Sequence, residues 1–275
     1  MCLQQLFDSF IIKPPIRFWW LSPQEKYPQI RGDLYRRRET KSVALYAISD
    51  LHLSTDDSTN KSMEVFGKKW LGYTERLKQN WNAVVSPEDT VVIPGDVSWA
   101  TTLSEAERDF RFLDSLPGKK ILGKGNHDYW WATASKHESF LQKNGFHSIS
   151  FLHNNAIRVG DLTVAGTRGW FQEDDREHGD AEKLVRREAI RLSLSLDFAK
   201  TIAEGTEILV FLHFPPVWRE QVCRPIVDLL LQYGIRKCYF GHIHGMYSLP
   251  SQFEFEGITF SMISADYLDF LPKRL

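Results

Sequence analysis

The sequence predicts an α/β fold built on a parallel-type sheet, with a strand-rich C-terminal portion. From Ser42 onward, short β-branched or apolar runs alternate with longer amphipathic ones, as βαβ units require. After Gly245 the helical spacing stops and apolar runs follow one another directly, the pattern of antiparallel strands.

Six continuous apolar runs read as strands buried on both faces: SVALYAIS, TVVIPG, KKILGKG, DLTVAGT, EILVFLHF and KCYFGHI. Between them the 3.6-residue spacing of an amphipathic helix marks KSMEVFGKKWLGYTERLKQNWNAVV, LSEAERDFRFLDSL, ATASKHESFLQKNG, DAEKLVRREAIRLSLSLDFAKTIAEG and QVCRPIVDLLLQYG. MYSLP, QFEFEG and ITFSMISA complete the strand reading. No internal repeat or low-complexity tract interrupts the series. Residues 1–42 differ in texture, with Pro14, Pro15, Pro23 and Pro28, the pair Trp19-Trp20 and the basic run Arg36-Arg37-Arg38. They read as an N-terminal extension that either packs its aromatics on the domain or serves as a partner-binding or lid-like arm. The domain proper is expected over 43–275.

With 275 residues, 43% hydrophobic and 25% charged, the chain has the balance of a globular protein rather than a disordered one. A net charge of −1 offers no global attraction for nucleic acid or an anionic membrane. Cys2, Cys223 and Cys238 are too few and too scattered for a disulfide framework, so a reducing, cytoplasmic setting is expected. The opening MCLQQLFDSFIIKPP is a poor signal peptide, because Asp8 interrupts its apolar run and Lys13-Pro14-Pro15 stops it. Nowhere do about 18 apolar residues run together, so no membrane span is expected.

The polar residues that break this pattern fall at strand ends. Asp50 and His52 follow the first strand, Asp96 the second, and Asn126, His127 and Asp128 the third. His213 ends a later strand, and His242 and His244 follow the last α/β strand. Ligand sites of open α/β sheets lie beyond the carboxyl ends of strands. In D-x-H and H-x-H, residues two apart on an extended segment point to one side, so each pair can reach one ion. Carboxylate, amide and imidazole donors together suit Mn, Fe or Zn better than calcium. An aspartate can also bridge two ions, an arrangement suited to phosphoryl chemistry. Taken singly, D-x-H is common, GD after a strand is usually a turn, and Asn and Asp favour loops anyway. The weight lies in the combination: five of the nine histidines sit in these motifs. His137, His147, His153 and His178 read as surface or structural residues.

The series DLH, GDVSW, GNHD, HFPP and GHIHG, spread over residues 44 to 246, resembles the calcineurin-like metallophosphoesterase family. GDVSWA and GNHDYWW further resemble a bacterial-type branch of phosphohydrolases. The resemblance implies a four-layer α/β/β/α sandwich with a dinuclear site at the strand ends. It implies Asp50, His52 and His244 on one ion and Asn126, His213 and His242 on the other, with Asp96 bridging. The cofactors would be two divalent or trivalent transition-metal ions, Mn, Fe or Zn. A metal-bridging hydroxide would cleave a phosphate monoester or diester of a small molecule or nucleotide. His127 would be the phosphate-side acid or transition-state stabiliser.

Many family members carry an acidic residue three positions after the bridging aspartate, where it orients that histidine; here the position is Trp99. His127 is then oriented by another group or left looser, with Asp128 the neighbour to examine; His127 and Asp128 are the expected catalytic residues. The arginine of the family's protein phosphatases is absent, which makes a protein-serine/threonine phosphatase the less expected subclass. Trp99, Trp130, Trp131, Trp170 and Trp218 crowd the same loops. They either line a cleft for a flat leaving group, with Trp99 and Trp130 as its wall, or pack beneath the loops and stiffen them. Arg168 either clamps a phosphate oxygen or forms a surface ion pair. The alternatives to a small-molecule hydrolase are a nuclease of the same fold and, with less support, a non-catalytic protein-binding scaffold.

Overall fold

The structure, a computed structural model, describes residues 43–55, 61, 63–170 and 181–275. The 1–42 extension lies outside the described residues. In chain order the elements are β1 (Leu45–Ala47), α1 (Tyr73–Val84), β2 (Thr90–Ile93), α2 (Glu107–Ser115), β3 (Lys119–Leu122), α3 (Ala134–Asn144), β4 (Ile149–Phe151), β5 (Ala156–Val159) and β6 (Leu162–Thr167). There follow α4 (Ala181–Ala203), β7 (Glu207–Leu212), the short ribbon β8 (Val217–Trp218) and β9 (Gln221–Val222), and α5 (Arg224–Gln232). β10 (Lys237–Phe240), β11 (Gln252–Phe255), β12 (Ile258–Met262) and β13 (Lys273–Arg274) close the chain.

Two mixed sheets stack face to face. One has the order β13-β1-β2-β3-β4, parallel except for β13; the other has the order β11-β12-β10-β7-β6-β5, with antiparallel strands at both edges. Period-two alternation along the strands divides the core into three layers. Leu45, Ala47, Val92 and Ile121 of the first sheet meet Val164, Leu209, Phe211 and Tyr239 of the second. The intervening residues turn outward: Tyr46, Val91 and Leu122 pack with Leu77, Trp81 and Phe110 of α1 and α2. Val210, Leu212 and Phe240 pack with Leu192 and Leu196 of α4 and with Ile226 and Leu230 of α5. The result is the α/β/β/α sandwich.

The structure revises several sequence boundaries. The expected long helix over 61–85 is split: two 3-10 turns, Met63–Phe66 and Lys68–Trp70, precede α1. Gly67 and Gly72, at φ 121° and 58°, interrupt the helical path there, a backbone that side-chain-bearing residues adopt only with strain. MYSLP is a turn, closed by Leu249 N–H donating to Met246 O at 3.1 Å. β12 pairs antiparallel with β11, as expected, but parallel with β10 on its other side. Among the described residues no helix is long and apolar enough to cross a membrane.

Candidate metal centre

Loops at the carboxyl ends of strands from both sheets meet where the sheets are joined. Ser49 N–H donates to Ile263 O, and Ala265 N–H to Ser49 O, both at 2.8 Å, which ties the end of β1 to the end of β12 across the sandwich. Within the first sheet, His52 N–H donates to Asp96 O at 2.9 Å; within the second, Gly241 N–H donates to His213 O at 3.1 Å. Asp50, His52, Asp96 and His213 are buried, while Asn126, His127, His242 and His244 are partly open to solvent.

The expected ligands converge, but not along extended segments. Asp50, His52, Asp96 and His242 have φ of 60°, 46°, 50° and 68°, the left-handed region that non-glycine residues seldom enter. The sharp turns bring backbone so close that only glycine fits beside it. A Cβ on Gly125 would overlap Asp96 Oδ1, and one on Gly241 would overlap Asp50 Oδ2 and Ser49 Oγ.

Two groups of donors result, Asp50/His52/His244 and Asp50/Asp96/His213. His52 Nε2 lies 3.2 Å from His244 Nε2, which is 3.6 Å from Asp50 Oδ1. Asn126 Oδ1 lies 2.7 Å from His213 Nε2 and 3.1 Å from His242 Nδ1. Asp96 Oδ2 stands between the groups, 3.6 Å from His52 Nε2 and 3.5 Å from His213 Nε2. Donors about 2.0–2.2 Å from a shared cation are spaced roughly 3–3.6 Å apart, so the separations fit cation binding.

The charge balance fits as well. Burial pushes Asp50 up to about 6, and burial, Asp128 and Asp50 push Asp96 well above the ordinary carboxylate range. Burial first, then the neighbouring imidazoles, holds His52 and His213 well below their usual value and takes His242 to about 4. Crowded acids and neutral imidazoles without a counter-charge are what cations would stabilise, because metal ligation uses ionised carboxylates and neutral rings. Two Asp/His groups that have Asp50 in common, with Asp96 Oδ2 within 3.6 Å of a histidine of each, are consistent with a dinuclear centre.

Asp266, after β12, is a site residue that sequence reasoning missed. Its Oδ1 lies 2.9 Å from His244 Nδ1, and its Oδ2 accepts from Gly245 N–H at 3.0 Å and Tyr247 O–H at 2.9 Å. Burial pulls the His244 ring down, but the Asp266 hydrogen bond and the charges of Asp50 and Asp266 outweigh it and raise its pKa. Carboxylate–histidine pairs of this kind fix the ring and increase its basicity as a ligand. Asp266→Asn is expected to weaken Mn²⁺ affinity about 10–100-fold, as measured by calorimetric titration.

Asp128 does not orient His127, contrary to expectation. Its Oδ1 accepts from Val97 N–H at 2.8 Å, Ser98 N–H at 3.3 Å and the Trp130 indole at 3.0 Å. Its Oδ2 accepts from Asp96 N–H at 2.8 Å and Gly125 N–H at 2.7 Å. With both oxygens engaged, Asp128 fastens the Asp96 loop to the Asn126 loop. Trp130 is corrected with it: 2% exposed and edge-on to Phe110, it stiffens the loop rather than lining a cleft. Trp170 and Trp218 are also buried.

His127 is held differently. Its backbone N–H donates to Asp96 Oδ1 at 2.8 Å, while its ring Nδ1, like that of His52, is buried without a hydrogen-bond partner among the described residues. Trp99 fills the place of the family's acidic residue: its ring stacks on His52 at 4.9 Å and tilts against His127 at 4.5 Å. Arg168 has its Nη2 3.8 Å from Oε1 of the buried Glu188 and its guanidinium over Trp170. Its backbone O accepts from His213 N–H at 3.0 Å.

Comparison with solved structures returns chains of low identity. One is AQ665 of Aquifex aeolicus, a protein of unknown function, with 21% identity, 84% of this chain and 95% of that chain covered, and a TM-score of 0.40. A second is the phosphopantetheinyl hydrolase PptH of Mycobacterium tuberculosis, with 14% identity, 85% and 96% covered, and a TM-score of 0.48. A third is TT1561 of Thermus thermophilus, with 12% identity, 85% and 98% covered, and a TM-score of 0.47. No curated protein matches the chain. The family model for calcineurin-like phosphoesterases matches residues 44–246, the span that carries every strand-end motif, and the chain belongs to the calcineurin-like phosphoesterase family.

Proposed function

We propose that the protein is a metal-dependent phosphoric ester hydrolase that cleaves a phosphate monoester or diester of a small molecule or nucleotide in the cytoplasm. The observation that carries this reading is the position of Asp96 Oδ2, almost equidistant from His52 Nε2 and His213 Nε2 at 3.6 and 3.5 Å. Asp50, His52 and His244 would hold one ion and Asn126, His213 and His242 the other, with Asp96 shared. Mn, Fe or Zn suits the donors. When bound, such a pair supplies an acidified water and neutralises charge on phosphoryl oxygens. The His127 N–H holds Asp96 Oδ1 and so orients Oδ2, the oxygen that would be shared. His127 hydrogen-bonds a phosphoryl or leaving-group oxygen, its ring steadied by Trp99. A net charge of −1 supports the small-molecule reading over the nuclease.

The test is a panel of phosphate mono- and diesters assayed with Mn²⁺, Fe²⁺, Zn²⁺, Ni²⁺ and Mg²⁺. Turnover of an ester with one of these metals, abolished by a chelator, is expected; no turnover with any of them would reject the reading. His127→Ala is expected to keep its metals, as measured by elemental analysis, and lose about 10²–10⁴ in kcat. Loss of the metals themselves would make His127 a ligand.

A further inference from the structure

The histidine rings of the centre are held in different ways. Nδ1 of His52 and Nδ1 of His213 are buried without a hydrogen-bond partner among the described residues, so packing holds those rings. His244 instead has Asp266 Oδ1 on its Nδ1 at 2.9 Å, which leaves its Nε2 facing His52 Nε2 at 3.2 Å and Asp50 Oδ1 at 3.6 Å. A neutral imidazole has one N–H and one free lone pair. Whatever keeps Asp266 on Nδ1 therefore keeps the Nε2 lone pair available to a cation.

Two side chains outside the ligand set do this. Tyr247 O–H donates to Asp266 Oδ2 at 2.9 Å, beside the Gly245 N–H at 3.0 Å. With Oδ2 pinned by two donors, the carboxylate cannot rotate without breaking both bonds, and Oδ1 stays on the imidazole. Tyr247 itself is 39% exposed, on the turn after His244, and needs a brace. Lys69 supplies one. Its Nζ lies 4.0 Å from the centroid of the Tyr247 ring and donates to Asp266 O at 3.1 Å and Asp269 Oδ1 at 2.6 Å. The solvent-exposed pair with Asp269 contributes little, whereas the cation over the ring and the carbonyl contact span Tyr247 and Asp266 together. The next residue, Trp70, is buried and edge-on to His244 at 5.6 Å. The Lys68–Trp70 turn thus braces the imidazole and the carboxylate that aims it.

We infer that Tyr247 and Lys69 are positioning residues: they hold Asp266 on His244 Nδ1 and so keep His244 Nε2 turned to the Asp50/His52 side of the centre as a preformed ligand. This rests on the metal-centre reading for its effect on cation binding, but not for its effect on the ring.

The first test needs no metal. In chelated, dialysed protein carrying ¹⁵N-labelled histidine at about pH 9, above the histidine range, His244 is assigned by its absence from His244→Gln. It is expected as the Nδ1-protonated tautomer in long-range ¹H–¹⁵N spectra. Tyr247→Phe and Lys69→Met should each move its nitrogens toward a mixture of tautomers, and Lys69→Arg should restore them. Tyr267→Phe, which loses the hydroxyl donating to Leu249 O of the same turn, should leave them unchanged. The second test is calorimetric titration of Mn²⁺ into the same preparations. Tyr247→Phe should weaken binding about three- to tenfold, less than Asp266→Asn, because the Gly245 N–H still holds Oδ2. Identical His244 signals in wild type, Tyr247→Phe and Lys69→Met would overturn the inference, as would an Nε2-protonated ring in the wild type. Shifted signals with unchanged Mn²⁺ affinity would overturn its bearing on cation binding. Shifted signals with no binding of Mn²⁺ or Zn²⁺ by the wild type would reject the metal-centre reading and leave the positioning of the ring standing.

Discussion

Asp96→Asn is expected to lower metal-dependent hydrolysis of p-nitrophenyl phosphate by at least about a thousandfold, the upper end of what losing one electrostatic contact costs an active site. Asparagine is nearly isosteric with aspartate, and its single oxygen can keep accepting the His127 N–H that Asp96 Oδ1 accepts now at 2.8 Å. The amide nitrogen then takes the place of Oδ2, between His52 Nε2 and His213 Nε2. An amide NH₂ has no free lone pair to offer the cations that Oδ2 would ligate. The melting temperature of the chelated variant should stay near that of chelated wild type, which separates loss of chemistry from loss of fold. Near-normal turnover by a folded, metal-loaded variant would remove Asp96 from the mechanism.

The second large effect is structural. Asp128→Ala leaves the N–H groups of Asp96, Val97, Ser98 and Gly125 and the Trp130 indole without their acceptor in a buried site. Each orphaned buried donor costs about 1–3 kcal/mol. Even with partial relaxation, the variant should lose several kcal/mol, a large part of a typical stability of about 5–15 kcal/mol. Chemical denaturation of the metal-free protein measures this directly. Because the same contacts hold the Asp96 and Asn126 loops together, metal affinity should fall in parallel. A variant with wild-type stability and weakened turnover would return Asp128 to a catalytic role.

The metal-binding motifs could be read from the sequence because cation ligation demands particular side chains, and their loops punctuate the apolar strand runs. Asp266 could not, since its role comes from pairing. The parallel register of β10 and β12, Phe240 opposite Met262, brings the residues after both strands together, and a lone aspartate after ITFSMISA carries no spacing that announces it. Asp128 misled through adjacency to His127: in a tight loop, consecutive side chains point apart, and Asp128 turned inward to the backbone. β4 and β5 escaped notice because both are short strands at sheet edges, where one face lacks the continuous apolar signal. The 3-10 turns before α1 were hidden by apolar spacing that resembles a helix across Gly67 and Gly72.

The left-handed backbone at Asp50, His52, Asp96 and His242 reaches beyond catalysis. Such conformations cost about 1–3 kcal/mol each, so the centre without its ions is a compressed spring. A ligand that binds only the folded chain holds that spring closed by mass action. Ions bound at this centre would therefore add to the resistance of the folded chain to proteolysis as well as to its chemistry.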